Sequence, residues 1–424
     1  MQVAYQFRLL PTSEQRAEMT RWLDMLRAQY NWMLAERYQW WEENRSSVNA
    51  CPLVCSLPEL KDQPDYYSQK RSLVPLKQDR HWYKDVHSQV LQDMVKRVKL
   101  AFDRYLKGDS NGHRSGKPRF KGKNRYRSFT YPQASLDWIE GNRIELPKIG
   151  AVKVIWHRPI PEGFEVKTAI VSHKSDGWYI TLSLEDVSVP EFNSEIKPIS
   201  ENSIGIDLGL EKFLADSHGE FESIPQHFRK SEEKLARLQQ KVSAAKKGSR
   251  ARKLLIRKVA KLHQKVARQR KQFHCETAQK VLNKADVVFV ENLSVKNMSR
   301  RAKPKQDETG KFLPNGQAAK SGLNKSIADA GWSQFVDILT FKAEKAGGRV
   351  VKVDPKGTSQ HCSTCLNRVP KALSERWHSC PNCGTELDRD TNAAILIKKV
   401  GLDIGLLKNA QPAFARKRSP RCTA

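Results

Sequence analysis

The most informative stretch of this chain is HCSTCLNRVPKALSERWHSCPNCGTELDRDTNAA, residues 361–394. It contains two Cys-x-x-Cys pairs separated by fourteen residues, slightly short of the common four-cysteine zinc spacing but within its natural range. Each pair can sit on a tight turn that directs two sulfurs inward, and four thiolates complete a tetrahedron around one Zn²⁺. The acidic residues that follow begin an Ala-rich helix, where a carboxylate can hold a hard cation. The four predicted zinc ligands are Cys362, Cys365, Cys380 and Cys383.

The composition predicts a folded, multidomain protein that binds a polyanion. The chain has 424 residues, 39% of them hydrophobic, and a formal net charge of +29. Two to four domains are expected at this length. Because the positive charge is spread over several segments, nucleic acid is favoured over a merely solvated basic surface. Neither a signal-peptide pattern nor an apolar run of membrane-spanning length is visible, so we expect a cytoplasmic protein with reduced cysteines and no membrane partner.

The N-terminal half predicts a strand, then helices, then a small sheet or barrel. Residues 2–10 alternate like a strand, and amphipathic helices follow, the second over residues 82–106. Residues 107–131 interleave Gly, Lys and Arg with aromatic residues, whose rings can either stack on bases or return to a core. Short strands over 143–185 lead to a linker at 187–202.

A second domain is predicted from residue 203. An apolar strand at 204–210 holds Asp207 between two glycines, and a β-meander follows over 213–224. Two basic helices, 228–247 and 250–284, carry apolar residues at coiled-coil spacing. Such a charge run is usually only a solvated face, but its size favours phosphate contacts.

The remaining elements are a short buried strand, a polar segment, a helix and another strand. Residues 287–290 form an unbroken apolar run, as in a strand buried on both faces. Residues 297–325 are expected to be mobile, 326–346 to be one helix, and 349–353 to be a strand. The tail after about residue 402 is expected to be disordered.

Three carboxylates stand where acid is unexpected: Asp207 inside a strand, Glu291 at the end of another, and Asp390 at the start of a helix. Each alone could be a turn, surface or capping residue, but a buried carboxylate is costly unless it is paired or bound to metal. Their order along the elements is that of an RNase H-like nuclease with two Mg²⁺ ions. We expect Asp388 to cap the helix while Asp390 binds metal, and Asp329 to be structural.

The motifs GIDLG, VENL, SIADAGW, CSTC…CPNC and DRDTNAA resemble the transposon-encoded TnpB (OrfB) family, the compact relatives of type V CRISPR effectors. LLPTSEQ with Tyr30-Asn31, and GKPRFKGK…SFTYP, extend the resemblance to about residue 401. The resemblance implies an RNA-guided DNA endonuclease with a guide RNA made from the transposon end. Its target would be double-stranded DNA beside a short adjacent motif. We expect one protein chain per RNA rather than a dimer.

The resemblance also implies a fold class and a set of roles. The fold is α+β and multidomain: a RuvC-like (RNase H-like) nuclease with a zinc-ribbon insert, a wedge-like β-barrel and an N-terminal helical recognition domain. Asp207, Glu291 and Asp390 inherit the catalytic magnesium roles, and the four cysteines bind one structural zinc. The implied domains are 1–10 with 107–200 (wedge-like barrel), 11–106 (recognition), 201–357 with 388–401 (nuclease), 358–387 (zinc ribbon) and 402–424 (tail).

Nucleic-acid contacts are predicted in the N-terminal half. Gln92 falls at a motif-reading position of the family, and Tyr67 is a second candidate, whereas the basic residue that some relatives carry four positions before the glutamine is Ser88 here. The remaining candidates are Lys117, Arg119, Lys121, Lys123, Arg125, Phe129 and Tyr131.

Three alternatives remain open. A miniature type V CRISPR effector would use the same site with an RNA from a repeat array. A nuclease-inactive RNA-guided repressor should have lost acids that are all present here. A DNA-transposing enzyme usually has its acids in the order Asp, Asp, Glu, whereas this chain has Asp, Glu, Asp. No role is predicted for Cys51, Cys55, Cys275 or Cys422.

Overall fold

The computed structural model describes residues 2–50, 62–109, 112–188, 196–372 and 374–403, with the side chains of 44–50 left out. These residues form two compact units, Met1–Glu191 and Phe192–Ala424. The expectations for Cys51, Cys55, Cys422 and the tail from residue 404 lie outside the described residues. None of the described helices is long and apolar enough to cross a membrane.

The first unit packs helices against an antiparallel sheet. Its described strands form one curled, seven-stranded sheet in the order β2-β6-β7-β1-β5-β4-β3. The elements are β1 (Gln2–Leu10), α1 (Ser13–Ala50), α2 (Tyr66–Arg71), α3 (Leu73–Asp79), α4 (Ser88–Leu106), β2 (Ser128–Tyr131), β3 (Ile139–Glu140), β4 (Arg143–Leu146), β5 (Gly150–Ile155), β6 (Glu165–Lys174) and β7 (Gly177–Glu185), with short 3-10 helices at His81–Asp85 and Leu136–Trp138.

One hydrophobic core joins these helices to the sheet. Phe7 of β1 and Ile180 of β7 contribute to this core from the sheet. Trp22 of α1 and Met94 of α4 contribute to it from the helices. The alternation of β1 and the three-to-four spacing of α1 and α4 both direct apolar residues into this cluster. The predicted barrel and recognition domain therefore share a core.

The second unit is built on a mixed sheet. Five of its described strands have the order β10-β9-β8-β11-β14, with β8, β11 and β14 parallel. The elements are β8 (Ser203–Asp207), β9 (Lys212–Asp216), β10 (Phe221–Ser223), α5 (Arg229–Ala244), α6 (Arg250–Leu282), β11 (Val287–Glu291), α7 (Val295–Met298), β12 (Lys305–Gln306), β13 (Phe312–Leu313), α8 (Gln317–Ala330), α9 (Trp332–Ala346), β14 (Arg349–Val353), β15 (Trp377–Ser379), β16 (Glu386–Asp388) and α10 (Arg389–Gly401).

The meander, the two basic helices and the buried strand β11 are confirmed, but the prediction of one helix over 326–346 is wrong. Helix α8 begins at Gln317, inside the segment predicted to be mobile, and Gly331 separates it from α9. Gly331 adopts the left-handed conformation (φ 66°), and a Cβ there would lie 3.0 Å from the Arg270 side chain. Only glycine fits this break without strain. The predicted helix over 82–106 similarly divides, because Val86 and His87 are extended before α4 begins.

Asp329, near the end of α8, is structural as predicted. Its carboxylate is buried and accepts hydrogen bonds from the amides of Phe228 (2.9 Å) and Arg229 (3.2 Å) and from the Arg270 guanidinium (3.2 Å). It therefore joins the start of α5, the middle of α6 and the end of α8.

Replacing Asp329 by alanine should destabilise the second unit strongly. The change leaves two amides and a partly buried guanidinium without their acceptor, and breaking a buried ion pair costs about 3–5 kcal/mol. Thermal unfolding of Asp329→Ala should show a lower Tm. Alanine at exposed Asp337 of α9 is the matched control and should leave the Tm unchanged. Equal Tm values for the two variants would contradict the structural role.

Candidate active site and metal centre

Alternation along the parallel strands separates two faces of the second unit's sheet. Ile204, Ile206, Val288 and Val290 belong to the cluster that includes residues of α6, α8 and α9. The intervening residues face the other side, where Phe289 packs with Ile397 of α10. β8 and β11 are paired with Ile206 opposite Val290.

Asp207 and Glu291 follow that register, so they are neighbours at the carboxyl ends of adjacent parallel strands. Asp207 lies two residues after Gly205, and Glu291 lies two residues after Phe289; Gly205 and Phe289 both face α10. Because side chains alternate along a strand, the Asp207 and Glu291 side chains also project toward α10. Their strands are buried, and the two acids at the strand ends are half-buried. The sequence has one acid at the end of each apolar run, and the structure places these two acids, Asp207 and Glu291, next to each other.

Two glycines let α10 lie close to this face. A Cβ on Gly205 would be 2.1 Å from the Ala394 carbonyl oxygen, and a Cβ on Gly401 would be 2.0 Å from the Phe289 ring. Neither position can accommodate a side chain, because real Cβ atoms do not approach other atoms so closely. This close packing puts Asp390, in the first turn of α10, beside the Asp207–Glu291 pair.

The charges of Glu291 and Asp390 both act on Asp207. Burial, then the charges of Glu291 and Asp390, raises the pKa of Asp207 to about 8. Burial also raises the pKa of Glu291, although the Thr358 hydroxyl donates a hydrogen bond to its Oε1 and opposes the shift. Burial and then the charge of Asp388 raise the pKa of Asp390. Mutual repulsion of this kind is relieved by a cation.

The donor set fits hard divalent cations such as Mg²⁺, which prefer carboxylate oxygens. Among the described residues, the acids are less tightly gathered than the cysteines, whose ligand atoms all lie within 4.8 Å of one another. A site for two cations about 3.5–4 Å apart does not require that closeness. A cation bound at Asp207 must displace its proton, so divalent affinity should rise with pH.

Asp388 is the helix cap, as the sequence predicted. Its Oδ1 accepts hydrogen bonds from the amides of Asp390 (3.0 Å) and Thr391 (3.2 Å), which are otherwise unpaired at a helix start. Its Oδ2 pairs with the ammonium of Lys212 at 2.6 Å. The Asp390 carboxylate therefore does not serve as the cap, whereas Asp388 is already paired.

The four cysteines form a cluster with the geometry of a zinc site. Sγ of Cys362 lies 3.6 Å from Sγ of Cys383, and Sγ of Cys365 lies 3.5 Å from Sγ of Cys380. These distances are far longer than a disulfide bond of about 2.05 Å. They are close to the separation of about 3.8 Å between ligands of a tetrahedral zinc with bonds of about 2.3 Å. The cluster can therefore bind zinc, as predicted.

Both cysteine turns have the same backbone conformation. The residue after each second cysteine, Leu366 or Gly384, is left-handed, with φ of 63° and 70°. Their amides donate to the carbonyls of Cys362 (3.0 Å) and Cys380 (2.9 Å). The CPNCG sequence indicates this turn through its glycine, whereas Leu366 gives no such signal.

Asn392 connects the cysteine cluster to α10, and sequence reasoning assigned it no role. Its side chain is buried, accepts from the Ser363 amide (2.8 Å) and donates to the His361 carbonyl (2.8 Å). Lys399 also donates to the Ser363 carbonyl. In the sequence, the signal for a role of Asn392 is that a polar residue precedes the two alanines of DRDTNAA. The first cysteine turn is thus bonded to the helix that carries Asp390.

Three family models match the chain: "Helix-turn-helix domain" at residues 1–46, "Probable transposase" (OrfB_IS605) at 184–302, and "Cas12f1-like, TNB domain" at 332–397. A putative RNA-guided DNA endonuclease, InsQ, of Escherichia coli (strain K12) is 30% identical over 399 residues, spanning 94% of this chain and 92% of the relative. The chain belongs to the TnpB (OrfB) family.

One further relative agrees with this membership, and one solved structure is similar in fold. A putative RNA-guided DNA endonuclease of Streptomyces pristinaespiralis is 29% identical over 403 residues, covering 94% of this chain and 89% of the relative. The solved structure of the mini-RNA-guided endonuclease CRISPR-Cas phi3 matches with a TM-score of 0.51 at 10% identity, over 95% of this chain and 92% of that chain. The second likeness concerns the fold alone.

Of the TnpB-type contacts predicted in the first unit, the two aromatic ones are wrong. Phe129 and Tyr131 are 1% and 0% exposed, and Phe129 packs against Trp22 with ring centroids 5.4 Å apart. The Tyr131 hydroxyl donates to the Pro147 carbonyl at 3.0 Å. Neither ring can stack on a base, because both belong to the core between α1 and the sheet.

Truncating Phe129 should therefore affect stability rather than nucleic-acid binding. Phe129→Ala removes a buried ring, at a cost of about 3–5 kcal/mol. Phe120→Ala is the matched control, since Phe120 is 55% exposed. Thermal unfolding should show a lower Tm for the first variant only. A wild-type Tm for Phe129→Ala, combined with weakened RNA binding, would restore the base-stacking interpretation.

The basic loop before β2 is held against α1 with its cations outward. Asn31 exchanges two hydrogen bonds with the backbone of Lys121 (2.9 and 2.8 Å), and the Tyr38 hydroxyl donates to the Pro118 carbonyl. The Lys117 ammonium lies 4.3 Å from the Tyr38 ring centroid. The predicted phosphate-binding residues Lys117, Arg119, Lys123 and Arg125 are exposed, and Lys121 is partly exposed.

Tyr67 and Gln92 line one groove of about 550 Å³ between α2, α3 and α4. Tyr67 is exposed, and Lys70 and Lys77 also line the groove. The ammonium of Lys77 donates a hydrogen bond to Ser88 at 2.8 Å. A lysine of α3 thus contacts Ser88, the first residue of α4.

Proposed function

We propose that this protein is a transposon-encoded, RNA-guided DNA endonuclease whose single RuvC-like site hydrolyses phosphodiester bonds. The observation that carries the proposal is the convergence of Asp207, Glu291 and Asp390 at one end of a parallel sheet, in a member of a family whose relatives are named RNA-guided DNA endonucleases. In this proposal, residues 201–357 and 388–401 are the RuvC-like domain and 358–387 the zinc ribbon.

The partners are a guide RNA from the transposon end and double-stranded DNA beside a short motif, bound by one protein chain. Guide pairing would select the sequence, while the protein contacts a short duplex motif and the heteroduplex backbone. The exposed cations of the basic loop and the groove containing Tyr67, Lys77 and Gln92 support these contacts. The net charge of +29 predicts that affinity falls steeply with salt.

In the mechanism, Asp207, Glu291 and Asp390 would hold two divalent cations. These cations, when bound, would activate the attacking water and stabilise the leaving 3′ oxygen. Thr358 holds the Glu291 carboxylate by its hydroxyl, and Asp388 leaves Asp390 free by taking the capping role. The half-buried position of Asp207 and Glu291 reduces solvent screening of their carboxylates. The zinc cluster has all four of its ligands from protein and is structural in this account.

A miniature type V CRISPR effector is the second candidate, favoured by the match of residues 332–397 to the Cas12f1-like domain. It would use the same acids and differ in the origin of its RNA. A nuclease-inactive repressor is disfavoured, because all three acids are present and interact.

The test is to express the protein with its native downstream DNA, sequence the RNA that copurifies, and assay plasmids that match this RNA. We expect one RNA species from the transposon end and Mg²⁺-dependent cutting of the matching plasmid. RNA from a repeat array would favour the CRISPR candidate. Cutting that needs neither RNA nor a divalent cation would overturn the proposal.

A further inference from the structure

The turn that follows Asp207 holds Lys212 in a fixed place. The Gly209 amide donates to the Phe213 carbonyl at 3.3 Å. A Cβ at Gly209 would lie 2.7 Å from the Lys212 carbonyl oxygen, so this approach requires glycine. The Trp332 indole also donates to the Gly209 carbonyl at 3.3 Å. The backbone of Lys212 is therefore fixed relative to the strand that ends in Asp207.

The Lys212 side chain reaches the start of α10. Its ammonium is 2.6 Å from Oδ2 of Asp388, and the two side chains are only 25% and 29% exposed. The other oxygen of Asp388 caps the amides of Asp390 and Thr391. One carboxylate thus binds the β8–β9 turn with one oxygen and the helix start with the other.

A second, more exposed ion pair joins the β8–β9 turn to the residue that precedes β15. Glu211 precedes Lys212, and its carboxylate lies 2.6 Å from the Arg376 guanidinium, with side chains 59% and 53% exposed. Exposed pairs of this kind contribute little to stability and are screened by salt. This pair provides a control, because its two side chains bind each other rather than the Asp388 carboxylate.

We propose that Lys212 is a positioning residue of the nuclease site: by holding Asp388, it fixes the start of α10 and sets Asp390 relative to Asp207. The proposal rests on the proposed function, since it concerns divalent binding by those acids.

Asparagine at position 388 separates the two tasks of Asp388. Asn caps helices about as well as Asp, so Asp388→Asn keeps the cap and loses the charge that Lys212 binds. Lys212→Met loses the ammonium and keeps most of the apolar stem. We expect both variants, and the double variant, to lose divalent affinity by the same factor of about 10–100, as is typical for groups that orient metal ligands.

The experiment measures Mn²⁺ binding to the protein–RNA complex by calorimetry without DNA, and the Mg²⁺ concentration for half-maximal cutting. Hydrogen exchange of the Asp390 and Thr391 amides reports the helix start, and we expect faster exchange in Lys212→Met than in wild type. Lys212→Arg should restore affinity, and the Glu211→Gln/Arg376→Gln control should match wild type. Melting curves identify any variant that fails to fold, and Asp388→Asn and Lys212→Arg then still test the proposal.

Wild-type Mn²⁺ affinity in Lys212→Met would overturn the positioning role, as would independent, additive losses in the double variant. Asp207→Ala separates this outcome from failure of the proposed function. If Asp207→Ala still cuts DNA, the nuclease assignment is wrong. If it is inactive while Lys212→Met binds Mn²⁺ normally, only the role of Lys212 is wrong.

Discussion

Replacing Asp207 by alanine should abolish DNA cutting while leaving RNA binding intact. The residue is the most strongly perturbed of the three acids, and burial together with the other two raises its pKa to about 8. Losing a metal ligand removes several kcal/mol of transition-state stabilisation, so the cutting rate should fall by about 10³-fold or more. The measurement is guide-dependent plasmid cleavage in Mg²⁺, together with RNA affinity by gel shift.

Two controls accompany this prediction. Asp207→Asn should be equally inactive without a lower Tm in the metal-free protein, because a carboxyl with a pKa near 8 is largely protonated at neutral pH and an amide replaces it closely. Asp337→Ala, on the exposed face of α9, should cut like wild type. An active Asp207→Ala protein would contradict the assignment of the site.

Replacing Cys380 by serine should release the zinc and inactivate the nuclease. Structural zinc binding contributes about 10–16 kcal/mol to the folding of small domains. With only three thiolates the cluster should lose its zinc, and the segment around it should lose most of its ordered structure. The effect should reach the acids, because Asn392 bonds the first cysteine turn to α10 and Thr358 holds Glu291. Atomic emission should show about one zinc per wild-type chain and far less in the variant.

Cys275 provides the matched control for this prediction. It lies on α6, outside the four-cysteine cluster, and is a free cysteine. Cys275→Ser should retain both zinc and cutting. If Cys380→Ser cut DNA at the wild-type rate after losing its zinc, the structural link between the cluster and the acids would be wrong.

The three acids and four cysteines could be predicted from sequence because their types are anomalous where they occur. An acid that ends an apolar run, as Asp207 and Glu291 do, is costly without a partner, and two closely spaced cysteine pairs in a basic chain are typical of a zinc site. The capping role of Asp388 could be predicted because a carboxylate just before the first turn of a helix binds its unpaired amides, whereas metal binding by Asp390 stays a prediction.

Other features could not be predicted because they depend on packing between distant residues. Phe129 and Tyr131 alternate with polar residues, and only the placement of α1 over the sheet decides that their rings are buried. Gly331 could have continued a helix, and its left-handed conformation reflects the Arg270 side chain beside it. The pairing of Lys212 with Asp388 joins residues far apart in the chain, and no local pattern indicates it.

The most direct test of the account is a reciprocal guide exchange. Two guide RNAs that differ only in the segment that pairs with DNA are each combined with wild-type protein and with Asp207→Ala. Each complex is then given, in Mg²⁺, two plasmids, one matching each guide. The account predicts that wild-type protein cuts only the plasmid that matches its guide and that the variant cuts neither. Cutting of both plasmids by wild-type protein, or guide-dependent cutting by the variant, would contradict it.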